Sequence, residues 1–462
     1  MTAYRIEQDS LGEMKVPENA LYGAQTARAV DNFPISGIPL KEPMIRALGL
    51  VKKHAAQTNL ELGLLPPEIA DAIIRAATEV INGKLSKHFP VDVFQTGSGT
   101  SSNMNVNEVI ANRAAGLLGQ PIGSKAVHPN DQVNLGQSSN DVFPSAIHIA
   151  CAEQLHKQLL PALEQLLQQL TEKSEQFKDV LKIGRTHLQD ATPVKLGQVF
   201  SGYARQVELA HERLSVCSSP LYELPLGGTA VGTGINTHPE FAEKTITAIA
   251  RETCLPFREA TNHFEAQSSK DALVTASCSL KICAVGLFKI ANDIRFLASG
   301  PRCGIGELVL PAVQPGSSIM PGKINPVMAE SLMQVCAQVI GNDATVALCG
   351  LSGNFELNVM MPVLVHNILE SIELLSNGIR AFEEKCLSGL QADEQRCADL
   401  LEQSLALVTA LVPEIGYDRS AELAKQAHKT GRTLRELALE DGVPAETLDR
   451  LLDPATMTEP RA

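Results

Sequence analysis

Residues 276–293 read ASCSLKICAVGLFKIAND, and the fold turns on how this stretch is packed. Small and apolar residues recur on more than one face of the helix it predicts. A surface helix carries one apolar stripe, so this pattern implies burial against several neighbours. The same spacing extends the helix over 264–299, and further long helices are expected over 145–177, 194–217, 326–347 and 362–388. Several exceed 20 residues, against a mean of about 11–12 for globular helices. Long helices need long partners. A helical bundle extended by identical subunits supplies them, and a large monomeric bundle is the alternative.

Bulk composition agrees with that reading. Hydrophobic residues make up 44% of the 462 residues, while aromatics reach only 4% with no Trp, so the core is aliphatic, as in packed helices. The length is more than one hydrophobic core usually reaches. A net charge of −13 argues against nucleic acid or an anionic membrane as a general partner, though a local basic pocket stays open. The amino terminus lacks a signal-peptide pattern, and no run of about 18 apolar residues stands out, so a cytoplasmic location without a membrane span is expected. Ten cysteines lie between Cys151 and Cys397 without C-x-x-C spacing, and are expected to be reduced, buried small hydrophobes.

Shorter helices are expected over 43–62 and 67–83, each with Pro early. From about 393 onward the chain breaks into short helices around Pro413–Gly416 and Gly431. This predicts an N-terminal helical domain over 1–136, a central long-helix domain over 137–392 and a small helical domain over 393–462.

Four polar loops interrupt the helices. In TGSGTSSNMNVNE (96–108), Gly97 and Gly99 permit close backbone approach, and Ser98, Thr100, Ser101 and Ser102 place hydroxyls before a helix. That arrangement suits an anion, or equally a helix cap. HPNDQVNLGQSSNDVFP (128–144) sets Ser138, Ser139 and Asn140 before another helix, with HPND readable as ordinary turn chemistry. GRTHLQDATP (184–193) holds His187 among Arg185, Thr186, Gln189 and Asp190. A solitary His is often structural, but one among so many hydrogen-bonding groups is a candidate acid-base residue. In QPGSSIMPGKINP (314–326), continuing to Glu330, Lys323 is the one cation of GSSIMPGKINPVMAE, among Ser317, Ser318 and Asn325. Such a loop can close over a substrate, or merely connect two helices at the surface.

Together these loops resemble the fumarase/aspartase superfamily, whose signature is the GSSIMPGKINP run. PENALYGAQTARAV (17–30) and LPLGGTAVGTGIN (224–236) extend the resemblance to essentially the whole chain. Within the superfamily it is most similar to the class II, metal-independent fumarases. Aspartases typically carry Gln at the position of His187 and Ala at that of Gly322.

The resemblance implies a mainly helical, all-α subunit of three domains, whose central five-helix bundle forms a twenty-helix core in a homotetramer. Each active site is then shared by three subunits, with a small dicarboxylate as substrate and no cofactor or metal. It implies reversible hydration of fumarate to (S)-malate through an aci-carboxylate carbanion. Ser317 is the implied base at C3. His187 acts on the hydroxyl side, oriented by Glu330. Ser98, Gly99, Thr100, Ser138, Ser139, Asn140, Thr186, Ser318, Lys323, Ile324 and Asn325 are the implied substrate contacts. A secondary anion site falls on Lys125, His128, Pro129, Asn130 and Asp131, where fumarases often carry Arg rather than Lys125, so the bidentate fork is lost. An aspartate ammonia-lyase is the enzymatic rival, and a non-catalytic structural protein the rival of another kind.

Overall fold

The computed structural model describes residues 3–460. Among them are seventeen α-helices and five small sheets, each of two strands. The mainly helical class is as expected. The irregular start forms a hairpin, Tyr4–Asp9 paired antiparallel with Gly12–Pro17.

The chain resolves into two compact units. The first comprises Met1–Pro161, Glu212–Ala284 and Ala337–Ser376; the second comprises Ala162–His211, Val285–Cys336 and Asn377–Ala462. Each boundary falls inside a long helix: Leu160–Gln176, Leu196–Cys217, Asp271–Leu297, Val327–Gly350 and Met361–Phe382.

In the first unit, Glu42–Glu61 packs on Pro67–Ile81, Ser139–Gln154 and Phe241–Thr253. Pro stands at the second or first position of the two leading helices, where its missing N–H has no intrahelical partner to lose. Polar groups join the long helices there. Asp343 accepts from Ser277 Oγ at 2.8 Å and Lys281 Nζ at 2.5 Å, and Asn342 donates to Glu370 at 3.0 Å and Ser371 at 3.1 Å.

In the second unit, Phe177, Phe200 and Tyr203 stack edge to face at 5.3 and 5.5 Å, and Tyr203 Oη donates to Asp293 at 3.0 Å. A Cβ on Gly378 would stand 3.4 Å from Leu332 and Val335, so the last two long helices approach closely there. A separate core of Leu401, Leu407, Leu411, Leu423, Leu434, Leu437 and Leu448 gathers the short carboxy-terminal helices.

Two expected helices are interrupted. The one expected over 145–177 runs from Ser139 to Gln176 but carries a π turn at Leu155–Leu159. Pro161 follows, whose ring would collide with the carbonyl four residues back in a regular α-helix, and the wider turn relieves that collision. The one expected over 264–299 divides into His263–Ser268 and Asp271–Leu297. Ser269 is extended, and the buried Lys270 ammonium turns back onto the carbonyls of Gln267 and Ser269, both at 2.7 Å. It thus satisfies acceptors that the continuing helix would otherwise have used.

No membrane span is expected from the sequence. By length and composition alone, Asp271–Leu297 and Val327–Gly350 are apolar enough to cross a membrane. Each carries a partner of the Lys281–Asp343 ion pair, and each leaves large apolar side chains exposed, Val285 at 56% and Leu348 at 62%.

Candidate active site

The hydroxyl loops belong to the first unit. Gly99 caps the Thr100–Leu117 helix at φ 74°, in the left-handed region that glycine tolerates best. A Cβ at Gly99 would fall 2.3 Å from the Phe143 ring, and one at Gly97 would fall 1.6 Å from the Val359 carbonyl oxygen. Only glycine fits at either position. The close packing draws Ser98, Thr100 and Ser139 into a hydroxyl chain, with Ser98 Oγ 2.8 Å from Thr100 Oγ1 and the latter 2.7 Å from Ser139 Oγ.

Ser138 opens the Ser139–Gln154 helix with a reciprocal cap: its Oγ accepts from the Asn140 N–H at 3.2 Å, and its own N–H donates to Asp141 Oδ1 at 2.9 Å. Asn140 donates its side-chain amide to the Ala230 carbonyl at 2.9 Å. Ser98, Gly99, Thr100, Ser138, Ser139 and Asn140 are thus positioned by two helix N-termini, whose partial positive charge suits a carboxylate.

Two residues that the sequence reading did not select support this arrangement. Asp141 is fully buried, and its second oxygen accepts from the N–H groups of Gly227 at 2.9 Å and Thr229 at 3.0 Å. Burial pushes its carboxyl up from the ordinary value, opposed by three backbone donors and by Lys52. Its signal was present, since Ser-x-x-Asp before an apolar run is a capping box. Lys52, also fully buried, donates to Asn134 at 2.8 Å and Gln137 at 3.0 Å, and burial pulls its ammonium down to about 7 despite the attraction of Asp141. In VKKHAA nothing separates it from its neighbour Lys53.

Lys125, His128, Pro129 and Asn130 line one cavity of about 310 Å³. Asp131 does not line it; its carboxylate lies 3.2 Å from the His128 ring. Glu7, Asp9 and Glu108 share the lining, and Lys125 Nζ is engaged by the Gln8 carbonyl at 3.4 Å.

The other loops belong to the second unit. Leu181–Thr186 and Gln189–Lys195 pair as a hairpin in which Thr186 faces Gln189, leaving His187 and Leu188 as a two-residue turn. Both have positive φ, 55° and 63°, as the turn that matches strand twist requires. This places His187 at an exposed tip beside Leu188, which is 75% exposed. For a histidine that backbone is costly, and such cost concentrates at functional sites.

The Ser317 loop is folded on itself. Ser317 Oγ accepts from the N–H groups of Ile319 at 3.3 Å and Met320 at 3.1 Å, and Asn325 donates to the Gly316 carbonyl at 2.6 Å. Gly322 turns the loop at φ 81°. Lys323, Ile324 and Asn325 line a cavity of about 580 Å³ with Arg295, Ser299 and Asp393, whereas Ser317 and Ser318 do not. Glu330 lies half-buried in the first turn of Val327–Gly350. Among the described residues it shares no hydrogen bond or ion pair with His187.

The helix-borne hydroxyls of the first unit suit an anion, and the histidine tip and the serine and lysine loop of the second unit carry groups of acid-base type. The chain matches the family described as Lyase over residues 12–341, and that described as Fumarase C C-terminus over residues 407–459. It is 57% identical over 457 residues to the Fumarate hydratase class II of Halobacterium salinarum, covering 98% of this chain and 97% of that protein. To the mitochondrial fumarate hydratase of Homo sapiens it is 52% identical over 463 residues, covering 99% and 91%. The crystal structure of recombinant class II fumarase from Schistosoma mansoni superposes with a TM-score of 0.96 at 40% identity over 100% of both chains. The chain belongs to the class II fumarate hydratase family of lyases.

Proposed function

We propose that the chain reversibly hydrates fumarate to (S)-malate by anti addition, without a metal or other cofactor. In the dehydration of (S)-malate Ser317 Oγ removes the C3 proton, leaving an aci-carboxylate whose charge spreads over the adjacent carboxylate oxygens. Lys323 and Asn325, with Ser318 and Ile324 alongside, hold that carboxylate. The Ser98, Gly99 and Thr100 segment and the Ser138, Ser139 and Asn140 segment bind substrate from two helix N-termini. His187 protonates the departing hydroxyl, or activates water in the reverse direction, with Thr186 positioning it.

The observation that carries this reading is the pair of backbone N–H groups on Ser317 Oγ, at 3.3 and 3.1 Å. A serine is a poor base unless negative charge on its oxygen is favoured, and fixed donors favour it at little reorganisation cost. The exposure of His187 and of the apolar long-helix faces supports a homotetramer of three-domain subunits, in which Glu330 of one subunit orients His187 of another. The secondary site around Lys125, His128 and Asn130 takes anions weakly, because three carboxylates share its lining. A cytoplasmic location accords with the reading.

The test is to give chelator-treated protein fumarate, and separately L-aspartate, while following the ultraviolet absorbance of the fumarate double bond. Falling absorbance with (S)-malate formed is the expected result, and His187→Gln should slow it about 10²- to 10⁴-fold. Absorbance that rises only from aspartate would replace this reading with an ammonia-lyase.

A further inference from the structure

Beneath the His187 hairpin lies a charge cluster that substrate binding and proton transfer leave unused. Glu307 is fully buried. Its Oε2 accepts from Arg185 Nη1 at 2.9 Å and stands 3.2 Å from Lys182 Nζ, while its Oε1 is buried without a hydrogen-bond partner. Both cations belong to the Leu181–Thr186 strand, and Arg185 is two residues from His187.

The backbone around Glu307 is held just as firmly. Its N–H donates to the Leu297 carbonyl at 2.8 Å, and its carbonyl accepts the Asp393 N–H at 3.0 Å. Arg396 grips the preceding residues through the carbonyls of Gly304 and Ile305, each at 2.9 Å. The carboxylate is therefore a fixed point against which the two cations of the hairpin strand are set. The hairpin register shifts between Ile183 and Arg185, so the ladder alone does not set the angle of the tip.

We propose that Glu307 is a positioning residue for hydration, locking the root of the hairpin through Arg185 and Lys182 so that His187 meets substrate in one orientation. This rests on the acid-base role given to His187 above. A buried carboxylate between two cations is a weak source of stability relative to an apolar trio, because all three charges are desolvated. Its value lies in direction: a guanidinium held by a fixed carboxylate oxygen leaves its strand little freedom to twist. Glu307 touches neither substrate nor reacting atoms, so its loss should alter turnover more than binding, which falls largely to the serine and threonine loops.

The experiment compares the parent enzyme with Glu307→Gln, Glu307→Asp and Arg185→Lys by steady-state fumarate hydration and by amide hydrogen exchange over residues 185–190. Glu307→Gln should lower kcat roughly 10- to 100-fold, the scale of an ångström-level misplacement, with KM held within about threefold. Glu307→Asp should recover part of the loss, and exchange at the tip should accelerate. A folded Glu307→Gln enzyme with kcat within about twofold of the parent overturns the proposal, as does one whose KM alone rises. Should Glu307→Gln fail to fold, Arg185→Lys carries the test: it keeps the charge but loses the planar fork, and unchanged kcat there is equally fatal. If the parent does not hydrate fumarate, the functional reading fails by itself; unaltered exchange at the tip in the variants would then sink the positioning role separately.

Discussion

The hydroxyl cluster of the first unit and the two polar arms of the second are built in opposite ways. Ser98, Thr100, Ser138, Ser139 and Asn140 stand at helix starts packed so closely that two glycines are obligatory, and a buried carboxylate ties their loop to the 227–229 segment. His187 and Ser317 lie on a hairpin tip and a loop, with Leu188, Ile319 and Lys323 exposed around them. Each design suits the task proposed for it. Groups that recognise a carboxylate gain from being fixed before it arrives, since ordering them on binding costs entropy. Groups that move protons must reach reacting atoms and let product leave, which favours an accessible tip and a loop able to close.

The sharpest way to break this comparison is Ser317→Ala. If the loop carries the base, kcat for fumarate hydration should fall about 10²- to 10⁴-fold, while fumarate protects the enzyme against thermal unfolding nearly as well as it protects the parent. Lost protection with preserved turnover would show that loop and cluster have been assigned the wrong way round.

Asp141→Ala should strike the other half. It strands the N–H groups of Ser138, Gly227 and Thr229 in a dry interior, and the unfolding free energy should fall by about 3–5 kcal/mol. Denaturant melts measure this. A loss under about 1 kcal/mol would mean that the cluster is not held as rigidly as its geometry suggests.

Lys52 sharpens the contrast more gently, through pH. Its folded value of about 7 lies below the ordinary lysine value, so between about 7 and 10.5 the unfolded chain binds the proton that the folded chain has released. Stability from this group therefore rises with pH across that window, and the desolvation penalty is fully present below it. Replacing Lys52 with Met should flatten the parent's rise, a difference of a few kcal/mol at about 1.4 kcal/mol per pH unit. Urea midpoints taken from pH 6 to 10 check the slope; parallel curves would mean that Lys52 keeps its proton throughout.

The parts of the site that could be read from the sequence are those with a local cause. Ser and Thr after Gly, a Ser-x-x-Asp pair and a Pro/Gly-rich loop each announce a turn or a helix start through hydrogen bonds within a few residues. Ser98 and Ser138 accordingly stand before helices, and Ser317 stands in a loop, as the local sequence predicts. Lys52 and Glu307 were invisible for the opposite reason. Their partners are 82 and 122 residues away, and a lysine or glutamate flanked by ordinary residues looks the same whether it faces water or a buried partner. The two broken helices teach a related lesson: apolar periodicity continued through Ser269 and Pro161, but Lys270 and the π turn settled the backbone there.

By itself the sequence determined the helical class, the long multi-faced helices and the chemical character of four loops, since periodicity, glycine and capping residues act over one or two turns. Only the tertiary structure decided which hydroxyls meet, that His187 sits on a tip with left-handed backbone, and which buried charges hold the two halves in shape. Those outcomes depend on desolvation and on contacts between distant segments, where the energy belongs to the pair and is written in neither residue alone.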